Sequence, residues 1–155
     1  MHHHGYLWTG PKQRFDQEGL RRHPHPEPPP VGSKPELIQR YRDVVTDFPV
    51  CDLPPLETAH WLMKPRTLLQ GTWEEPKRAA EWLDERLAEY APRFASESDR
   101  EATRLAALIN SAAEHLGWGG DLSIGFYLEQ PAFLTLTLVT CSPNRTSPDL
   151  QCPAC

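Results

Sequence analysis

The sequence predicts an α+β domain in which an antiparallel helix pair packs against a small antiparallel sheet containing a C-terminal β-hairpin. Three observations predict it. Apolar residues recur at helical spacing over residues 79–94 and again over 102–116, and after Gly119 and Gly120 the period drops to two. The chain has 155 residues, of which 39% are hydrophobic and 24% charged, which is enough to bury one core without staples.

Residues 1–34 read as a flexible Pro/His-rich arm. Seven of the 17 prolines fall within the first 35 residues, and the run HPHPEPPP from His23 to Pro30 favours polyproline II over helix. Tyr6, Leu7, Trp8 and Phe15 stand out as aromatic and apolar residues in a polar setting, suited to docking on the domain or on a partner. The histidines after Met1 are not taken as a metal site by default. Residues 35–141 then form the single α+β domain, and 142–155 a Cys/Pro-rich tail.

The first helix starts near Pro35, where Ser33 and Glu36 have capping-box spacing, and carries Leu37, Tyr41, Val44 or Val45, and Phe48 until Pro49 ends it. Residues 48–69 are apolar but broken by Pro54, Pro55 and Pro65, consistent with short strands or irregular chain over the core. The second helix follows Thr72 or Glu75, with Pro76 in its first turn and Ala79, Trp82, Leu83, Leu87, Tyr90 and Phe94 on one stripe. Its other side carries Glu81, Asp84, Glu85 and Glu89, a solvated face. Ser98 and Glu101 announce the third helix, whose face is Ala102, Leu105, Ile109, Ala112 and Leu116, with Gly117 as the C-terminal stop. Leu122, Ile124, Phe126 and Leu128, then Leu134, Leu136 and Leu138, alternate with smaller or polar residues and give the hairpin. Two strands alone are marginal, so another strand is expected from residues 48–70 or from a second copy of the chain.

The chemistry concentrates in cysteine. Cys141, Cys152 and Cys155 read C-x10-C-x2-C, a knuckle spacing that sets thiolates around a tetrahedral ion, and Cys141 ends a strand. A structural zinc site built on these three needs a fourth ligand, for which Cys51, His60 and His115 are the candidates. A disulfide and ordinary thiols, some of them buried as small hydrophobes, are the competing readings. His60 and His115 also read as a core histidine and a helix-end histidine. No catalytic residue is identified. The G-x-G-x-x-G, G-x-x-x-x-G-K and H-E-x-x-H patterns are absent, and Asn144-Arg145-Thr146 matches a glycosylation acceptor by accident.

Charge excludes other classes. The first 35 residues carry five basic and three acidic groups, the remainder eleven and eighteen. The domain is therefore acidic, opposite to what phosphate neutralisation requires, and nucleic acid is not an expected partner. No apolar run reaches membrane-spanning length and no secretory h-region follows Met1, so neither a membrane nor export is expected, and the setting is cytoplasmic. Trp8, Trp73 and Trp118 are candidate interface residues. The expected function is a non-enzymatic accessory or protein-interaction domain, stabilised by structural zinc, that meets a protein partner or a second copy. The alternatives are a small enzyme with a pocket between the third helix and the sheet, and a substrate protein whose C-terminal Cys/Ser/Thr segment is modified.

Overall fold

The computed structural model describes residues 1–154. Its sheet is antiparallel and four-stranded: β1 (His2–Pro11), β2 (Leu69–Trp73), β3 (Leu122–Tyr127) and β4 (Ala132–Cys141), in the spatial order β2–β1–β4–β3. The α+β class and the C-terminal hairpin, β3 with β4, agree with the sequence.

The flexible-arm expectation for residues 1–34 fails over β1. This segment pairs with β4 from His2↔Cys141 to Pro11↔Ala132 and with β2 on its other side. The physical reason is an alternation among residues that look unlike a strand. His4, Tyr6 and Trp8 are buried on one face, while His3, Gly5 and Leu7 turn to the other. Gly5 sits there because the ring of Trp82 lies on the strand: a Cβ at this position would stand 3.1 Å from that ring. The rest of the expected arm holds two short helices, α1 (Lys12–Phe15) and α2 (Glu18–Arg21), before the proline-rich run.

Helix α3 (Pro35–Asp47) starts where Pro35 predicts but without the capping box, since Ser33 Oγ donates instead to the Pro30 carbonyl (2.6 Å). Residues 48–68 supply no strand. They form 3-10 turns at Phe48–Val50, Thr58–Met63 and Arg66–Leu68, consistent with prolines that remove ladder donors. Strand β2 overlaps the expected stretch only at Leu69 and Gln70 and runs on to Trp73, and the strand that pairs directly with the hairpin, β1, comes from the expected arm.

Helices α4 (Pro76–Tyr90) and α5 (Ala102–Gly117) are the predicted pair. Helix α4 ends four residues before the predicted stripe does, at a 3-10 turn containing Pro92, after which Phe94 still reaches the core. The stop of α5 lies two residues beyond Gly117. Gly119 takes a left-handed φ of 86°, its amide donates to the Leu116 carbonyl and that of Gly120 to the His115 carbonyl, a Schellman motif that only glycine closes without strain.

The sheet is buried on both faces. Ala79, Leu83, Leu87, Phe94, Ala112 and Leu116 from the helical segments pack on Leu134, Leu136 and Leu138, with Phe94 stacked on Phe126 at 4.3 Å. On the opposite face the 3-10 layer brings Leu53, Trp61 and Leu62 onto Tyr6, Trp8, Phe133, Val139 and Cys141. Trp8 is thus a core residue rather than an interface residue. Among the described residues, no helix is long and apolar enough to cross a membrane.

Candidate metal centre

One consequence of the β1–β4 register is chemical. His2 stands opposite Cys141, and His4, two residues on, shares their face. Ser142, with a left-handed φ of 67°, turns the chain away from β4, and the following loop returns Cys152 to the same place. The ligand atoms of His2, His4, Cys141 and Cys152 all lie within 4.8 Å of one another. His4 Nε2 is 2.9 Å from Cys141 Sγ and 3.5 Å from Cys152 Sγ, and His2 Nδ1 is 3.4 Å from Cys152 Sγ. A tetrahedral ion bound by sulfur and nitrogen at ordinary zinc distances separates the two by about 3.6 Å. Two of the three separations match that edge closely.

The surroundings prepare the donors. His4 Nδ1 is 2.9 Å from Thr72 Oγ1, so with Nε2 as ligand the Nδ1–H donates to the threonine and fixes the ring. Burial, reinforced by His2 and His3, lowers the pKa of His4 to about 4, leaving a neutral imidazole at pH 7. Two neutral imidazoles and two thiolates balance a divalent cation, which suits a site where His4 and Cys141 are both buried. The donor set holds sulfur and nitrogen without carboxylate, which selects thiophilic ions over Mg²⁺ or Ca²⁺. Tyr6, next along the same face, has its phenol pKa pushed far up by burial, with smaller contributions from Cys141 and Cys152. His3 faces the helices. Its Nδ1 is 2.8 Å from Thr140 Oγ1, which itself donates to the Gly120 carbonyl, so Nδ1 carries the donated proton and His3 belongs to the core.

Asn144, only 1% exposed, positions the returning loop. Its Nδ2 donates to both Asp121 oxygens (3.1 and 3.0 Å) and to the Thr140 carbonyl (2.7 Å), while its Oδ1 accepts the amides of Thr146 (3.0 Å) and Ser147 (2.9 Å). The apparent glycosylation signal is therefore an internal loop brace. Asn144→Ala leaves these groups unpaired, and we expect a loss of about 2–3 kcal/mol in urea unfolding, with metal affinity down by a factor of about ten to a hundred.

The histidine chemistry also sets a pH dependence. Unfolded His4 takes up a proton near pH 6.5, whereas the folded side chain does so only near 4. As pH falls through that window the unfolded state binds a proton the folded state refuses, so stability declines. Above the window the effect is absent. For metal-free protein the loss reaches about 3 kcal/mol by pH ~4. Urea midpoints above and below the window should show a smaller decline in His4→Gln than in the parent.

The structure brings together two of the three predicted cysteine ligands, Cys141 and Cys152; Cys155 lies outside the described residues. The candidate fourth ligands are elsewhere. Cys51 is half-buried beside the 3-10 layer, His60 stacks on His23 at 4.3 Å, and His115 packs on Trp118 at 4.2 Å. Histidines 2 and 4 escape sequence reasoning because they lie at the far end of the chain from the cysteines. The H-x-H-x-Y-x-W alternation is the signal that could have found them. Of the interface candidates, Trp73 packs on Trp82 at 5.5 Å, and Trp118 is 54% exposed.

Together the fold and this cluster define an α+β protein with a candidate Cys2His2 metal centre. No family model, no curated protein and no solved structure matches the chain.

Proposed function

We propose that the chain is a non-enzymatic accessory or interaction domain whose fold is clasped by one structural zinc ion held by His2, His4, Cys141 and Cys152. The observation that carries this reading is the convergence of these four side chains from two neighbouring strands and a returning loop. Four protein ligands fill a tetrahedral ion and leave no position for substrate or reactive water, which favours a structural role over catalysis. The space between α5 and the sheet, where an enzyme pocket was the alternative, is filled by Ala112, Leu116, Leu136 and Leu138. A partner surface is supported by α3, which buries none of its residues yet exposes Leu37 and Val45, and by exposed Trp118. Thiolate ligation suits a reducing setting such as the cytoplasm.

Elemental analysis of purified full-length protein tests the proposal. We expect about one zinc per chain, lost in Cys141→Ser and retained in Cys51→Ser. Cobalt should replace zinc with the visible absorption of a tetrahedral thiolate site. Protein that neither retains nor takes up zinc overturns the reading, as does Cys141→Ser with full occupancy.

A further inference from the structure

Two histidines outside the metal centre lie ring on ring. His23, at the start of the proline-rich segment, stacks on His60 of the 3-10 turn Thr58–Met63, with centroids 4.3 Å apart and planes at 29°. Phe48, only 2% exposed, meets both rings at near right angles. A buried ammonium lies on the same phenyl ring: Lys64 Nζ is 3.8 Å from its centroid and donates to the Phe48 carbonyl (2.8 Å).

Little else holds the segment down. Among the described residues, every hydrogen bond of residues 23–33 stays inside the segment, between His25 and Glu27 and between Ser33 and Pro30. Its ends are anchored. Arg21 Nε donates to the Pro54 carbonyl (2.7 Å), the Leu56 amide donates to the Arg21 carbonyl (3.0 Å), and Pro35 opens α3. Gly32, with a left-handed φ of 89°, has open space around it. A recess of about 500 Å³, lined by prolines of the segment and by Leu37, Tyr41 and Val44 of α3, shows how loosely the two pack.

We propose that residues 23–33 form an acid-released strap, laid on the domain while the His23–His60 pair is neutral and lifted when the pair is protonated. Burial is the largest obstacle to a proton on His60, whose side chain is 12% exposed. His23 and the Lys64 ammonium add to it, and the pKa of His60 lies below its usual 6.5. Glu57 Oε2, 3.5 Å from His60 Nε2, pulls the other way, but that side chain is 66% exposed and its charge is screened. Arg22 and His25 flank the pair on its open side and bring no negative charge, while Asp43 and Asp47 of α3 line a different recess, beside Phe48 and Cys51. In the laid-down state His60 therefore refuses a proton that it accepts once His23 leaves and water enters. Falling pH favours the lifted state, and above neutrality the strap stays down. Lifting bares Leu37, Tyr41 and Val44. Neither ring is a ligand of the metal centre, so the strap responds with the ion in place or removed.

Nitrogen-15 relaxation NMR on the full-length protein at about pH 7.5 and about pH 5.5 tests this. The strap is read at the amides of His25, Glu27 and Val31, and the core at Leu134 and Leu136. We expect strap order parameters near the rigid value of about 0.85 at the higher pH and below about 0.6 at the lower, with the core unchanged. His60→Phe keeps a ring to stack on and cannot take the proton. His23→Phe does the same from the strap, outside both core clusters. Each should stay ordered at the lower pH, and should His60→Phe not fold, His23→Phe alone decides. A strap ordered at both pH values, or mobile at both, overturns the proposal. So does acid release persisting in His23→Phe, and so does a core that loosens together with the strap, which would report unfolding instead.

Discussion

A chain lacking residues 2–11 should not fold. Strand β1 is the inner partner of both β2 and β4, so its removal separates β2 from the sheet and exposes the β4 edge over its whole length. It also takes Tyr6 (1% exposed) and Trp8 (4%) out of one core layer, and Leu7 from the surroundings of the other. Large-to-small changes at single aromatic core sites cost about 3–5 kcal/mol each, against a total stability of about 5–15 kcal/mol for a domain, so the loss exceeds what the fold can bear. Circular dichroism and proton NMR dispersion are the measurements. A cooperative thermal transition in the truncated protein would restore the flexible-arm reading. Shortening the proline run instead, by removing residues 26–30, should leave the transition in place, because these residues lie outside both core clusters.

Stripping metal with a strong chelator should lower the melting temperature on the order of 10 °C or more. An ion present at a thousand times its dissociation constant stabilises the folded state by about 4 kcal/mol, and each kcal/mol corresponds to roughly 2–4 °C at this chain length. Zinc restored in excess should recover the original transition, whereas magnesium should not, given a donor set of imidazole and thiolate. Differential scanning calorimetry before and after chelation measures this directly. A melting temperature indifferent to both treatments would remove the structural role assigned to the four ligands.

Much of this molecule is readable from local patterns, and the parts that are not share a cause. The stripe from Ala79 to Leu87 and the alternation from Leu122 to Leu138 are each contained in one short segment, so period alone assigns the helix and the hairpin. Cys141 and Cys152 were visible as candidate ligands because the C-x10-C-x2-C spacing is one that can set thiolates around a tetrahedral ion, beside the disulfide and ordinary-thiol readings of the same residues. The partnership of His4 with Cys141 spans 137 positions, and no local window contains both. Strand β1 was hidden by composition: three histidines and two glycines lower the apparent strand propensity, and the prolines that follow mark the neighbourhood as unstructured. Its period-two burial is nevertheless present in His4, Tyr6 and Trp8. The capping spacings at Ser33 and Ser98 were real patterns without the matching contact. Ser33 bonds its own turn, and Ser98 Oγ accepts from Arg104 (2.6 Å). A three-residue spacing permits a capping box but does not enforce it when another donor or acceptor is nearer.

The loop from Ser142 back to Cys152 brings positions 2 and 152 into contact, although 150 residues separate them. Their order along the chain is therefore less important to the fold than their adjacency. A short peptide could join the segments at His2 and Cys152, and the polypeptide could be opened instead within the exposed prolines near residue 28. Such a circular permutant would begin and end in the proline-rich run, with the segments carrying His2 and Cys152 covalently continuous.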